Sequence, residues 1–304
     1  MKKLLIATTA LVMTAGMASA EVKMTGDARF GLSYSEANMT NEWTTEYRLR
    51  AKFNFSGTTD GGLDFGASFI LNGSAPGTRL SEGGVVDLNG DGDTLDTVTV
   101  QSDNTSDAVV WVGGSWGTVT VGEVDTGDDS VGLGLADIGY KGIGLDDVAE
   151  SLYAGTSANI NYTGTFGAIT VALSYDLPVS QAPASDDWAI GVGYKGDGYT
   201  VALGYDSDEV LTIGGGATFG AISFNAMYSS DDALSRAAWG ASASYKLNSA
   251  TTITVAYADD DYVSTDASYG VNATYNLGGG AKLLAGIGSV DGVSEAEVGM
   301  TFTF

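Results

Sequence analysis

Apolar and polar residues alternate along most of the chain, and the stretch 43–57 shows this pattern clearly. Its odd positions are mostly apolar, whereas its even positions are polar and carry three cations. Because successive side chains of a β-strand point to opposite faces, this period of two predicts a strand with one apolar and one charged face. The same alternation recurs near both ends of the chain, at 22–35 and 295–304.

Sixteen such segments can be delimited along the chain. Tight turns rich in Gly, Asn and Asp alternate with longer, often acidic connections, so that seven turns and eight loops join the segments. The predicted strands are 22–35, 43–57, 62–72, 106–114, 117–124, 157–164, 167–177, 187–196, 198–206, 209–219, 221–229, 236–247, 250–259, 266–277, 280–289 and 294–304.

The even strand number and the alternation of short and long connections are typical of an outer-membrane barrel. Closing the sheet also leaves no edge whose unpaired backbone groups would face lipid. We therefore predict an all-β fold, a 16-stranded antiparallel transmembrane β-barrel. A soluble β-sandwich is the competing interpretation, but it does not explain the systematic alternation of connection lengths.

The first twenty residues do not follow the strand pattern. Lys2 and Lys3 precede an apolar run that ends in small residues at 18–20, which is the layout of a secretory signal peptide. We predict cleavage after Ala20 and a single barrel domain over 21–304. A membrane anchor is the other interpretation, but the apolar run is short for a spanning helix.

Composition argues against several classes of function. The formal net charge of −25 is unfavourable for nucleic-acid binding. The chain contains no His and no Cys, so nucleophilic systems of the Ser-His-Asp or Cys-His type are impossible, and no disulfide framework supports the exported chain. We therefore expect a protein that is not an enzyme.

The three cations of the stretch 43–57 determine which face of that strand meets water. On the lipid face each would cost about 2–4 kcal/mol at the bilayer midplane, so Arg48, Arg50 and Lys52 are predicted to face the lumen. Arg29 points inward by the same parity, and antiparallel pairing can place it beside Arg48 or Arg50. We predict that these four residues form the basic side of a pore constriction. The competing interpretation is that they are lumenal charges selected only for solvation.

Several segments of the chain are similar to one family, the general diffusion porins of Gram-negative outer membranes, and especially to those of purple, alphaproteobacterial species. The segments are EVKMTGDARFGLSYSE at the mature start, SGTTDGGLDFGASF at the first hairpin, the acidic stretch after VGEVDTGDDS, and YNLGGGAKLLAGI with the terminal Phe304. The resemblance implies a homotrimer of sixteen-stranded barrels, surrounded by outer-membrane lipid and lipopolysaccharide. It also implies that the third outside loop folds into the barrel, where its acids face a basic cluster on the wall.

The predicted third loop runs from Asp125 to Thr156. At about thirty residues it is too long to be idle in a compact fold, and 146–153 is predicted to form a short helix with acids at its N-terminus. Apolar residues at 131–140 are expected to pin the loop to the wall or to itself. An acidic loop exposed outside the barrel is the competing interpretation. The candidate acids of the constriction are Glu123, Asp125, Asp128, Asp129, Asp146 and Asp147.

A second candidate site lies in the long loop 73–105. Carboxylate and amide side chains alternate there, and Gly92 permits the sharp turn of a calcium-binding loop. Val98 stands where an EF-hand has its bidentate glutamate, so the match is partial, and a flexible acidic loop without an ion is the competing interpretation. The resemblance adds support for calcium as a cofactor. The candidate ligands are Asp87, Asn89, Asp91, Asp93 and Asp96.

Together these observations predict a water-filled channel for passive diffusion of ions and small hydrophilic solutes. The many acids of the loops and mouth predict a preference for cations. A substrate-specific channel on the same barrel is the main alternative, although the sequence shows no linear track of aromatic residues. A calcium-dependent adhesin or an outer-membrane enzyme is a third hypothesis, and the modest loops and the absence of His argue against it.

Overall fold

Sixteen antiparallel strands form a closed barrel in the computed structural model, which describes residues 21–38, 42–74, 105–178, 186–261 and 266–304. Each strand pairs with its neighbours in sequence, and the first strand pairs with the last. The strands are β1 Glu21–Ser35, β2 Trp43–Thr58, β3 Asp64–Ser74, β4 Thr105–Gly114, β5 Gly117–Gly122, β6 Ile160–Phe166, β7 Ile169–Tyr175, β8 Trp188–Lys195, β9 Tyr199–Asp206, β10 Val210–Phe219, β11 Ile222–Asp231, β12 Arg236–Lys246, β13 Thr251–Asp260, β14 Ser268–Gly278, β15 Ala281–Val290 and β16 Val293–Thr303.

The seam between β1 and β16 closes the barrel. Asp27 lies opposite Thr303 at one end of the ladder, and Ser35 lies opposite Glu295 at the other. Phe304 extends the ladder, because its backbone nitrogen donates to the Gly26 carbonyl at 2.8 Å and its carbonyl accepts from the Gly26 nitrogen at 3.2 Å. A continuous seam removes the two free edges that an open sheet would present.

The predicted fold class is confirmed, and each predicted strand agrees with an observed one to within three residues at both ends. The largest difference is at β6, which begins at Ile160 and not at 157. Asn159 explains it, because its side chain binds the backbone of Leu177, with Nδ2 donating to the carbonyl at 2.6 Å and Oδ1 accepting from the nitrogen at 2.9 Å. The Asn159 backbone still bonds both neighbours, its nitrogen donating to the Tyr175 carbonyl at 3.2 Å and its carbonyl accepting from the Gly122 nitrogen at 3.0 Å, but the next pairing along the chain is made by its side chain.

The two faces of each strand differ as the alternation predicts, and β9 is an example. Val201 and Leu203 lie exposed on the outer face, whereas Ala202 and Asp206 are buried on the lumenal face. Aromatic rings meet on the outer surface near both ends of this strand, in the pairs Trp188–Tyr205 and Tyr194–Tyr199, with centroids 5.9 Å apart in each pair. Such rings suit the interfacial girdles of a membrane barrel.

The connection 123–159 between β5 and β6, here called loop 3, lies inside the barrel. Its helix α1, Leu145–Ala149, contacts strands β11 to β15, and Ile138 and Leu145 have no exposed surface. The prediction that residues 131–140 pin the loop is confirmed. On the wall, Val131 lies over Gly191 and Gly193, Leu133 over Gly214, Leu135 over Gly240, Ile138 over Gly270 and Gly286, and Tyr140 over Gly31 and Gly299.

Glycine at these wall positions lets loop 3 lie directly on the backbones of the strands. At Gly286, for example, an added Cβ would lie 2.5 Å from the backbone nitrogen of Gly139 and 2.8 Å from its Cα. Both of these are backbone atoms, which cannot rotate away as a side chain can. The glycines of the wall therefore define the path of the loop.

The predicted helix over 146–153 is shorter in the structure. The α-helix covers Leu145–Ala149, and a 3-10 turn covers Asp129–Val131 earlier in the loop. Leu145, Val148 and Ala149 form the buried face of α1, whereas Asp146 and Asp147 occupy its first turn, as predicted. Residues 151–154 form a turn instead of a further helical turn.

Two predicted segments lie outside the described residues, namely the leader 1–20 and the candidate calcium loop with Asp87, Asn89, Asp91, Asp93 and Asp96. Within the described residues, no helix is both long enough and apolar enough to cross a membrane.

The tight fit at Gly286 generates a first prediction. Gly286→Ala should push loop 3 off the wall at a cost of about 1–3 kcal/mol, typical of an overpacked site. Lys141 is the one lysine or arginine between 123 and 159, so limited trypsin digestion of the folded protein should cut after it faster in the variant. Gly73→Ala is the matched control, because a Cβ there meets its nearest atom, the Leu49 carbonyl oxygen, at 3.5 Å. Equal cleavage rates in both variants would contradict the proposed packing.

Candidate functional site

Strands β1 and β2 place the four predicted cations on one lumenal face, where Arg29, Arg48 and Arg50 form a basic patch. Arg29 lies directly opposite Arg48, Arg50 opposite Asp27, and Lys52 opposite Thr25. The predicted proximity of Arg29 to the second strand is therefore observed. Like charges directly opposite each other destabilise a sheet, so the two arginines at this pairing need nearby acids.

The acids that pair with the arginines lie on the same two strands and not on loop 3. Arg29 Nη2 donates to Glu46 Oε1 at 2.6 Å. Arg48 Nη2 and Arg50 Nε both donate to Asp27, at 3.2 Å and 2.9 Å. The acids predicted on the loop are not the partners of these arginines in the structure. The signal that identifies Asp27 and Glu46 in the sequence is that both share the lumenal parity of the arginines.

Loop 3 contributes a cation of its own to this patch. Lys141 Nζ lies 3.2 Å from Glu46 Oε2 and 3.9 Å from Glu297 Oε1. Lys141 had not been predicted as a site residue, because it is a single cation in an otherwise acidic loop. It joins the loop to β2 and β16, and it adds positive charge on the side where the loop meets β1.

Glu297 anchors the same part of loop 3, near Lys141. Its side chain is 2% exposed, and its Oε2 accepts from the backbone nitrogens of Tyr140 at 3.0 Å and Lys141 at 3.1 Å. A carboxylate buried without donors would be strongly unfavourable, so these contacts stabilise both the acid and the position of the loop. The sequence offered one signal, since Glu297 has the lumenal parity of β16.

Two of the six predicted loop acids lie against the wall or within the loop. Asp128 is 1% exposed, with its Cβ packed over Gly204. Asp129 Oδ1 accepts from the Tyr153 hydroxyl at 2.9 Å, and burial raises the pKa of the Asp129 carboxyl above its ordinary value. Neither residue reaches the basic patch on β1 and β2.

Asp146 and Asp147 lie in the first turn of α1, together with the nearby Glu150. Burial, helped by the neighbouring Asp137, raises the pKa of the Asp146 carboxyl to about 7. Burial also raises the pKa of Glu150 to about 7, although its Oε1 accepts from the Leu135 nitrogen at 3.2 Å. The pKa of Asp147 is raised by burial and by the charge of Asp146. In the described residues none of these acids forms an ion pair.

Glu123 and Asp125, the remaining predicted acids, lie at the root of loop 3 and share a pocket with Lys52. The pocket has a volume of about 340 Å³ and is also lined by Asp107. Lys52 therefore faces the acids at the root of loop 3, whereas Arg48 and Arg50 contact Asp27 on the wall. The four predicted cations belong to two neighbouring environments.

No metal centre emerges from the described part of the chain, where no group of three or more His, Cys, Asp or Glu side chains is arranged to hold an ion. The candidate calcium ligands at 87–96 lie outside that part, so this finding does not bear on them.

Comparisons with known proteins agree with the barrel and its lumen. A family model described as Gram-negative porin matches residues 7–294. The chain is 28% identical to a porin of Rhodobacter capsulatus and 26% identical to a porin of Fuscovulum blasticum, in each case covering 93% of this chain and 100% of the relative. A doubly substituted variant of the Rh. blastica porin has a similar structure, with a TM-score of 0.75 at 24% identity over 93% of this chain and 100% of that one. Because the family model spans nearly the whole chain, the protein belongs to the Gram-negative porin family.

Proposed function

We propose that this outer-membrane porin prefers cations and that its constriction lies between the basic patch of β1 and β2 and the acids of loop 3. Family membership makes the protein a multi-pass barrel of the outer membrane through which ions and small solutes pass. The ion preference, the constriction residues, the trimer and the calcium site are proposals beyond that membership.

The observation that carries the cation preference is the local pairing of the arginines. Asp27 and Glu46 offset two of the three positive charges of Arg29, Arg48 and Arg50 on their own wall. The described acids of loop 3 near α1 have no such partners, so the field they set up in the lumen is not cancelled. A water-filled passage lined by uncompensated carboxylates concentrates cations and excludes anions.

The strand ends beside the longer connections support the same preference. They carry acidic runs at 206–209, 231–232 and 259–261. Because the long connections of a porin face outward, cations approaching from outside meet a negative mouth before they reach the constriction. Steering of this kind weakens as salt shortens the screening length from about 30 Å at 0.01 M to 3 Å at 1 M.

We further propose a homotrimer with a calcium ion in the loop 73–105. The support is the resemblance to trimeric porins and the alternating oxygen ligands at Asp87, Asn89 and Asp91. A bound calcium ion would neutralise part of an acidic loop and order it. If this loop also touches a neighbouring subunit, calcium would stabilise the trimer through mass action.

The arginine pairing generates a second prediction. Replacing Arg48 and Arg50 with Gln should leave the Asp27 carboxylate uncompensated and increase the cation-over-anion permeability ratio several-fold. The ratio is measured from the reversal potential across a salt gradient in planar bilayers. Adding Asp27→Asn should return the ratio toward the native value. If the double variant failed to fold and the triple variant folded, the arginines would serve to neutralise Asp27 for folding. They would then have no separate role in ion selectivity.

The raised pKa values on loop 3 generate a third prediction. Above pH 7 the Asp146 and Glu150 carboxylates are charged, and below it they become protonated and neutral, because burial raises both pKa values to about 7. Cation preference should therefore fall as the pH is lowered from about 8 to 6, a range in which an ordinary carboxylate stays ionised. The double variant Asp146→Asn, Glu150→Gln should show a lower preference at pH 8 and a smaller fall between pH 8 and 6, since the Asp147 carboxyl, whose pKa is also raised by burial, remains. If the variant showed the same fall in cation preference as the native protein, Asp146 and Glu150 would not be the groups that cause it.

The calcium proposal generates a fourth prediction. Calcium added to chelator-treated protein should raise the melting temperature, and native mass spectrometry should show the mass of three chains. Asp91→Asn should weaken the thermal response by lowering the affinity for calcium, while the unrelated change Asp197→Asn on a short turn should leave it intact. A monomer mass, or equal responses in both variants, would rule out the corresponding part of the proposal.

A further inference from the structure

The pocket around Lys52 is built from the barrel wall on one side and the root of loop 3 on the other. Lys52 comes from β2, Thr120 from β5 and Thr163 from β6, whereas Glu123 and Asp125 belong to the loop. The volume of about 340 Å³ falls at the lower end of the range of about 300–1,000 Å³ that small-molecule sites occupy. The pocket therefore has room for a small solute beside the constriction.

Within the described part of the chain, the charges of this pocket have no ion-pair partners, unlike those of the arginine patch. In the described residues no carboxylate oxygen lies within 4 Å of Lys52 Nζ, although Asp107, Glu123 and Asp125 line the same pocket. An ammonium and three carboxylates thus face a common space at separations that exceed a direct salt bridge. A solute that carries both charges can bridge that space.

The surrounding contacts hold the acids in place before any solute arrives. Glu123 Oε2 accepts from the Ala108 nitrogen at 2.9 Å. Asn161 Nδ2 donates to the Asp125 carbonyl at 2.7 Å and to the Ser130 hydroxyl at 2.8 Å, which ties the root of the loop to β6. Preorganisation of this kind reduces the ordering that binding would otherwise require.

Asp107 has an unusual backbone conformation at the rim of the pocket. Its φ is 53°, and the pairing of β3 with β4 breaks between Ser68 and Ile70, opposite this position. Positive φ is uncommon for a residue other than glycine, and such outliers concentrate at functional sites. The irregularity lies at the rim of the pocket, in the segment that carries Asp107.

From this geometry we propose that the Lys52 pocket is a solute subsite for small zwitterions, such as α-amino acids, during their passage through the pore. The solute carboxylate binds Lys52, the ammonium binds the carboxylates of Asp107, Glu123 and Asp125, and the Thr120 and Thr163 hydroxyls supply further hydrogen bonds. Charge-assisted hydrogen bonds of both signs distinguish a zwitterion from a simple cation or anion. This inference deepens the proposed function and rests on it, since it requires an open, conducting lumen.

Binding at this subsite is weak, because the charged groups are in contact with water. Solvent-exposed ion pairs contribute little each, so half-saturation is expected on the order of millimolar. Weak binding suits a passage site, since a solute held tightly would block the pore instead of crossing it.

Tracer influx into proteoliposomes tests the subsite with three probes of similar size, namely glycine, ethanolamine and glycolate. Glycine influx should saturate in the millimolar range at pH 7, whereas ethanolamine and glycolate influx should rise linearly. Lys52→Gln should make glycine influx linear, and Asp107→Asn, which tolerates the same backbone conformation, should raise the half-saturating concentration several-fold. Lys282→Gln, which removes the same charge at the start of β15, is the matched control and should keep saturation.

The outcomes separate this inference from the proposed function. A reconstituted protein that passes neither potassium nor chloride would overturn the function itself. A conducting pore with linear glycine influx would overturn only the subsite. Saturation by ethanolamine equal to that by glycine would also overturn it, because Lys52 would then make no contact with a solute carboxylate.

Discussion

Every strand of this barrel has to satisfy two surroundings at once, and the rest of the structure depends on that constraint. The period of two places Val201 and Leu203 outside and Ala202 and Asp206 inside within a single strand. The closed ladder between β1 and β16 makes the inward rows of all strands the continuous wall of one lumen. Charges such as Arg48 and Arg50 are tolerated in a membrane protein because that wall encloses water.

The same wall determines where loop 3 lies. A loop can follow the inner surface only where the strands leave room, and glycines such as Gly240 and Gly286 provide that room beneath Leu135 and Ile138. The middle of the loop is held by a buried carboxylate, since Glu297 accepts hydrogen bonds from the backbone nitrogens of Tyr140 and Lys141. Packing and a polar anchor together fix a long segment that has little regular secondary structure of its own. The width and charge of the lumen follow from that fixed path.

Much of this arrangement could be predicted from the sequence, because period-two alternation and turn composition are local signals. For that reason the sequence predicts the strands and the lumenal orientation of Arg29, Arg48, Arg50 and Lys52. The partners of the arginines were not, because Asp27 and Glu46 meet them only through the register of β1 on β2. In a chain with 44 glycines, those that support loop 3 cannot be told from those in turns. The pairs Asp128-Asp129 and Asp146-Asp147 look alike in sequence. They differ in the structure because Asp128 packs over Gly204, whereas Asp147 lies on the open side of α1.

The central claim is that wall acids offset most of the charge of the arginines, so that the acids of loop 3 give the lumen a net negative field. The most direct test is the reversal potential of the native protein in a planar bilayer across a tenfold potassium chloride gradient at pH 8. The account predicts a potential with the sign of cation selectivity, larger in dilute than in concentrated salt because screening weakens the field. A potential near zero at low salt, or one with the sign of anion selectivity, would contradict it.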